Sequence, residues 1–246
     1  MKVYELLNKI NEISPLDLAC PWDNCGLLLG DKNADVSAVY VTLDADMYAL
    51  NKAVLLGCNV VVSHHPVIFD PLKSVTDDTV AYHYLNKGVA VISIHTCLDA
   101  VSGGVNDLFA NCCALKDANP YYVDGVALAR VGTVDCDDID SYIEKVKTSV
   151  KSDRADCLIK RPVNKVMTVS GSGGSCVYDT YVSGCDTLIT GEAKHDAFVL
   201  ADNLGINLFA FGHFETENVV VQPLCKKLSD YVTAYPSDRT EFIKRR

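Results

Sequence analysis

The sequence predicts an α/β protein made of two similar three-layer α/β domains with mixed or mostly parallel sheets. Three observations carry this. From Ala38 onward, apolar runs of strand length alternate with segments of helical spacing. The run Asn59-Val60-Val61-Val62-Ser63 is near-continuously apolar, as expected of a strand buried on both faces of a parallel sheet. The alternating pattern also occurs twice.

The elements follow in order. Tyr4 to Ile10 is amphipathic and reads as a helix. An irregular stretch runs on to Gly30, through Pro21-Trp22-Asp23-Asn24-Cys25-Gly26. Val39–Leu43 is β-branched and aromatic and reads as a strand. Asp46 to Leu56 has helical spacing. Asn59–Ser63 is a strand, Thr79 to Lys87 a helix closed by Gly88, and Val89–Ile94 a third strand. From about 102 to 162 the pattern loosens, with a helix over Val105–Leu115 and a strand over Gly125–Val134. A helix over Asp138–Val150 is capped by its own Asp. After Pro162 the rhythm returns: strand Val166–Val169, a Gly/Ser loop, a helix, strand Thr187–Thr190, a helix, and strand Asn207–Phe211. The basic end, Lys244-Arg245-Arg246, reads as a solvated tail.

Gly57-Cys58-Asn59-Val60-Val61-Val62-Ser63 is echoed by Gly184-Cys185-Asp186-Thr187-Leu188-Ile189-Thr190. Beyond each, a strand leads to a His followed four residues later by a carboxylate: His95 with Asp99, and His213 with Glu217. This points to a duplicated strand-helix-strand-helix-strand unit. The expected domains are 1–126 and 127–246, with an approximate boundary and a C-terminal segment able to pack with the first. Two copies facing each other leave a cleft between them.

Composition narrows the function. The chain has 246 residues, a net charge of −10, 49% hydrophobic and 22% charged residues. Such a chain builds a sizeable core and is not disordered. The acidic balance disfavours a nucleic-acid-binding ring, which needs a basic face. No apolar run reaches the length of a membrane span, and the N-terminus lacks the apolar region of a signal peptide, so a cytoplasmic location is expected. The 11 cysteines include no C-x-x-C pair, so a thiolate zinc ribbon and a disulfide framework are disfavoured.

The histidines carry the chemistry. Sites in open α/β sheets form outside the carboxyl ends of the strands. Ser63-His64-His65-Pro66 sits at such an end. Adjacent extended residues point to opposite sides, so His64 and His65 suit two nearby ions rather than one. Asp99, His213 and Glu217 supply the remaining ligands. A helix after Gly212 would set His213 and Glu217 on one face. Imidazole with carboxylate suits Zn, Mn, Fe or Ni, and two such ions make a hydrolytic centre in which water is activated at neutral pH. The expected site lies in the cleft. His95 is open between ligand, a group that orients a ligand, and general base; the last two are preferred. Glu192 and His195 occupy the strand end equivalent to His64-His65 and are candidate acid/base groups. Gly171-Ser172-Gly173-Gly174-Ser175 is either an anion-contacting loop or a tight turn.

Taken together, six segments resemble one family, in order and over nearly the whole chain. They are Trp22-Asp23-Asn24-x-Gly26-Leu27, Ser63-His64-His65-Pro66, His95-x-x-Leu98-Asp99, Gly171-Ser172-Gly173-Gly174, Thr190-Gly191-Glu192 and Gly212-His213-x-x-Thr216-Glu217. The family is that of the Nif-three-like proteins, often called GTP cyclohydrolase 1 type 2 homologues. The resemblance implies a two-domain α/β fold and a dinuclear metal site. His64 and Asp99 would hold one ion, His65 and His213 the other, and Glu217 would bridge. It also implies a toroidal homohexamer with sites facing its interior, and the family name points to ring-opening hydrolysis of GTP. Phe214 departs from the pattern, standing where relatives often carry Tyr.

The expected protein is therefore a hydrolase-like enzyme dependent on two divalent metal ions per chain. Its small-molecule substrate would be a nucleotide, a cyclic amide or a phosphoester, with His95, Glu192 or His195 moving protons. A phosphate-bearing ligand on so acidic a chain would be held by the metals. The alternative is a non-catalytic metal-binding scaffold, or a metal-handling or regulatory protein.

Overall fold

A computed structural model describes residues 1–240. The basic end, Lys244 to Arg246, lies outside the described residues. The chain forms two compact units, residues 1–101 with 220–240, and residues 102–219.

The first unit begins with α1 (Val3–Ile13), whose apolar stripe buries Val3, Leu6 and Ile10. Next come β1 (Gly26–Leu29), β2 (Val39–Thr42), α2 (Met47–Leu55), β3 (Val60–Ser63), α3 (Val80–Asn86), β4 (Ala90–Ser93) and α4 (Thr96–Ala100). Asp46 caps α2 by accepting the Ala49 N–H at 2.9 Å. Thr79 caps α3. Strands β2, β3 and β4 are parallel and buried throughout, which is why they read as unbroken apolar runs. Tyr40, Val61 and Val91 pack against Ala49, Ala53, Ala81 and Tyr84. β1 adds antiparallel to β4. After the second unit the chain returns as α10 (Val221–Leu228) and β11 (Ala234–Pro236), and β11 adds parallel to β2.

The register matters most for function. Thr42 pairs with Ser63, and Ser63 with Ser93. All three parallel strands end level, so Asp44, His64, His65 and His95 leave from one edge of the sheet.

The second unit holds α5 (Val105–Cys112), β5 (Lys116–Val123), β6 (Val126–Thr133), α6 (Ile139–Val150), β7 (Asp156–Leu158) and β8 (Lys165–Val169). It continues with α7 (Val177–Val182), β9 (Thr187–Thr190), α8 (His195–Leu204), β10 (Asn207–Ala210) and α9 (His213–Glu217). The sheet order is β5-β6-β8-β9-β10-β7. β8, β9 and β10 are parallel, and the other pairings are antiparallel. Val166, Ile189 and Phe209 face Phe109 and Val146 on one side; Met167, Leu188 and Leu208 face Val177 and Ala201 on the other. Helices therefore sandwich the sheet, giving three layers. Val169, Thr190 and Ala210 end level, as in the first unit.

The division falls after Val101 rather than near 126. The reason is α5, whose Phe109 packs against Val146, Val166 and Phe209, together with the β5–β6 hairpin that follows it. Among the described residues, no helix is long and apolar enough to cross a membrane.

Candidate metal centre

In the first unit three imidazoles converge. The His64 and His65 ring centroids are 5.1 Å apart, and His95 lies 5.2 and 5.6 Å from them. One nitrogen from each lies within 4.8 Å of the others. His64 is fully buried, with Nδ1 3.1 Å from the Ile94 carbonyl. A carbonyl only accepts, so Nδ1 donates and Nε2 presents a lone pair. That Nε2 lies 3.6 Å from Asp99 Oδ1. A buried lone pair beside a carboxylate oxygen suits a shared cation.

The other two rings are held at Nδ1 by carboxylates: His65 by Asp44 Oδ1 at 2.8 Å, and His95 by Asp23 Oδ1 at 2.9 Å. Such partners fix the tautomer and aim Nε2. Asp23 also accepts from the backbone N–H of Asn24 and from the N–H and hydroxyl of Thr96. Burial opposes its ionisation, but the His95 and Thr96 hydrogen bonds outweigh it and hold the carboxyl below the usual carboxylate range.

In the second unit, His213 opens α9 and Glu217 lies one turn on. His213 Nε2 is 3.0 Å from Glu217 Oε2, and Nδ1 is 3.1 Å from Glu192 Oε2. Glu217 is buried against Gly171. At Gly171, φ is +60°, and a Cβ would stand 2.0 Å from Glu217 Oε1. Only glycine gives the carboxylate this room. Thr216 accepts the Gly171 N–H at 3.1 Å, Thr190 accepts the Gly173 N–H at 2.9 Å, and the Glu192 carbonyl accepts the Gly174 N–H at 3.1 Å. The amides of Gly171, Gly173 and Gly174 thus brace the loop beneath Glu217, which favours the tight-turn reading of this segment. Beside Glu192 opens a cavity of about 740 Å³, with Arg154, Ser172, Ser175 and Lys194 in its lining.

The predicted site residues thus fall into two sets. His64, His65, His95 and Asp99 share one edge of the first sheet; His213, Glu217 and Glu192 share one end of the second. Glu192 meets His213, which makes it a group that orients an imidazole. His195 is exposed on the first turn of α8 and is not among the residues lining the cavity. Sequence reasoning missed Asp44 and left Asp23 without a role. The strand-end rule that singled out His64 applies equally to Asp44, two residues beyond β2. All 11 cysteines are free; Cys25 accepts the His95 N–H and lies 3.7 Å from Cys97, sulfur to sulfur.

The donor chemistry therefore fits divalent cations: buried carboxylates, imidazoles aimed by a second group, and a glycine cradle. Relatives agree in extent. The chain is 31% identical over 229 residues to a Methanocaldococcus jannaschii GTP cyclohydrolase 1 type 2 homolog, covering 88% of this chain and 90% of that protein. It is 30% identical over 221 residues to the Helicobacter pylori protein named GTP cyclohydrolase 1 type 2, covering 87% and 86%. In fold it is similar to a Bacillus cereus protein related to NIF3, with a TM-score of 0.89 at 20% identity over 100% of this chain and 99% of that one. The match to the family described as Duf34/NIF3 (NGG1p interacting factor 3) runs over residues 1–244, and the chain belongs to that family.

Proposed function

We propose that the protein is a hydrolase-like enzyme dependent on two divalent metal ions, acting on a nucleotide or on a cyclic amide or phosphoester. The observation that supports this most is the convergence of His64, His65 and His95 at level strand ends, each gripped at Nδ1 so that Nε2 is presented. His64 and Asp99 would hold one ion, His65 and His213 the other, with Glu217 bridging. When bound, the ions supply Lewis acidity to a phosphoryl or carbonyl oxygen and a water activated at neutral pH. Asp44 aims His65, and Glu192 aims His213. His95, fixed by the ionised Asp23, is the group placed to hold or move a proton at Nε2. His195, exposed on α8, is a weaker candidate for the same task. Assembly as a cytoplasmic homohexamer belongs to this reading, as does the nucleotide substrate, since the Helicobacter pylori relative is named for GTP.

The test begins with metal content. Two ions per chain are expected under metal-replete conditions at neutral pH, and fewer than one overturns the site. Turnover is then screened against nucleotides, cyclic nucleotides, phosphoesters and cyclic amides, with His65→Ala and Glu217→Ala as controls. Activity at wild-type rate in both variants overturns the dinuclear mechanism. Tight metal binding with no turnover across the panel identifies a metal-handling scaffold instead.

A further inference from the structure

Trp22 is the chain's one tryptophan. It stands 60% exposed, and Phe69 is 51% exposed. Their ring centroids are 5.9 Å apart with planes tilted by 47°. Both lie 6.3 Å from the His95 ring, near edge-on at 69° and 76°. An aromatic ring is among the most profitable groups to bury, so two left half in water against a polar cluster call for a partner.

The two rings are not loose. Asn24 Nδ2 donates to the Ile68 carbonyl at 2.6 Å, tying the Trp22 segment to the Phe69 segment. Asp23 ties the same segment to His95. Val67 and Ile68 pack on the core beneath, so the loop is anchored without Phe69. Three successive residues, Trp22-Asp23-Asn24, thus present a ring, orient an imidazole and tie down the backbone next to Phe69.

We propose that Trp22 and Phe69 form an aromatic wall on which a flat heteroaromatic ring stacks, beside the histidine-carboxylate cluster. The chemistry fits a purine-type base. The base lies against the wall, and its phosphates or its reacting carbon reach the cluster. Stacking tolerates different bases because each has a π-face. This deepens the function proposed above and rests on the cluster being a metal site, but the wall is tested separately.

The sole tryptophan is a built-in reporter. The metal-loaded full chain is titrated with adenosine and guanosine monophosphates, and with ribose 5-phosphate as the base-free probe. Saturable quenching by the nucleotides is expected, with ribose 5-phosphate at least tenfold weaker. Trp22→Leu and Phe69→Leu are expected to weaken nucleotide binding about 10- to 100-fold by calorimetry. Metal content should be unchanged in both, and Trp22→Phe should recover most of the loss. Nucleotide affinity within twofold of wild type in both Leu variants overturns the wall. So does a change in sedimentation with affinity intact, which would make the rings a self-association surface. Loss of metal binding in the wild type strikes the metal reading, and nucleotide quenching that persists without metal supports the wall alone.

Discussion

The functional weight rests on how each imidazole is held. His65 depends on Asp44 at 2.8 Å, a contact between a ring nitrogen and a carboxylate that raises the basicity of the other nitrogen. Asp44→Ala is expected to weaken divalent metal affinity about 10- to 100-fold while leaving the fold intact, as read by competition with a chromophoric chelator. His64, His65 and His213 were legible as candidate ligands because histidine is rare in this chain and these stand at strand ends. Asp44 and Asp23 were not, because aspartate is common in loops. Their roles depend on a register that sets Thr42 level with Ser63 and Ser93. Glu192 was legible as part of the site, but its partner was not. Proximity to a strand end places a carboxylate, and only the fold reveals that it meets His213 Nδ1.

The elements that the sequence made plain are those whose burial leaves a periodic trace. β3 and β9 are buried along their whole length, and β3 reads as a near-continuous apolar run. The edge strands left no such trace. β5 is mostly exposed, contains Pro120 and has a positive φ at Asp117, so nothing in it alternates. β7 and β11 have three residues each, too short for any period. Helix starts were clearer, since Asp138 accepts the Ser141 N–H at 2.8 Å and Asp46 the Ala49 N–H. Asp46→Ala and Asp138→Ala are each expected to cost about 1 kcal/mol in urea unfolding. α4 and α9 are five residues long, so no helical period could announce them. The four-residue spacing of His213 and Glu217 was the only sign of α9.

At the scale of the whole molecule, two α/β sandwiches share one plan: three parallel strands in chain order, helical crossovers, and a short helix beginning at or just after a histidine. The internal echo in the sequence reflects that plan, and the positions of His95 and His213 follow from it. Each sheet depends on its own core. Phe209 is fully buried between β10 and the helices above it, so Phe209→Ala is expected to cost about 3–5 kcal/mol, seen as a lower urea midpoint. The chain leaves the first unit after Val101 and returns to it at Val220. The strand that covers the open side of β2 is β11, whose Ala234 pairs with Val39. A ribosome adding about 5–20 residues per second must therefore make the whole second unit before that edge can close. For about 7 to 27 seconds the nascent first sheet carries an unpaired parallel edge, and the inserted unit receives its last strand, β10, before that edge closes. Synthesis thus imposes an order of completion that is the reverse of the order in which the two sheets begin.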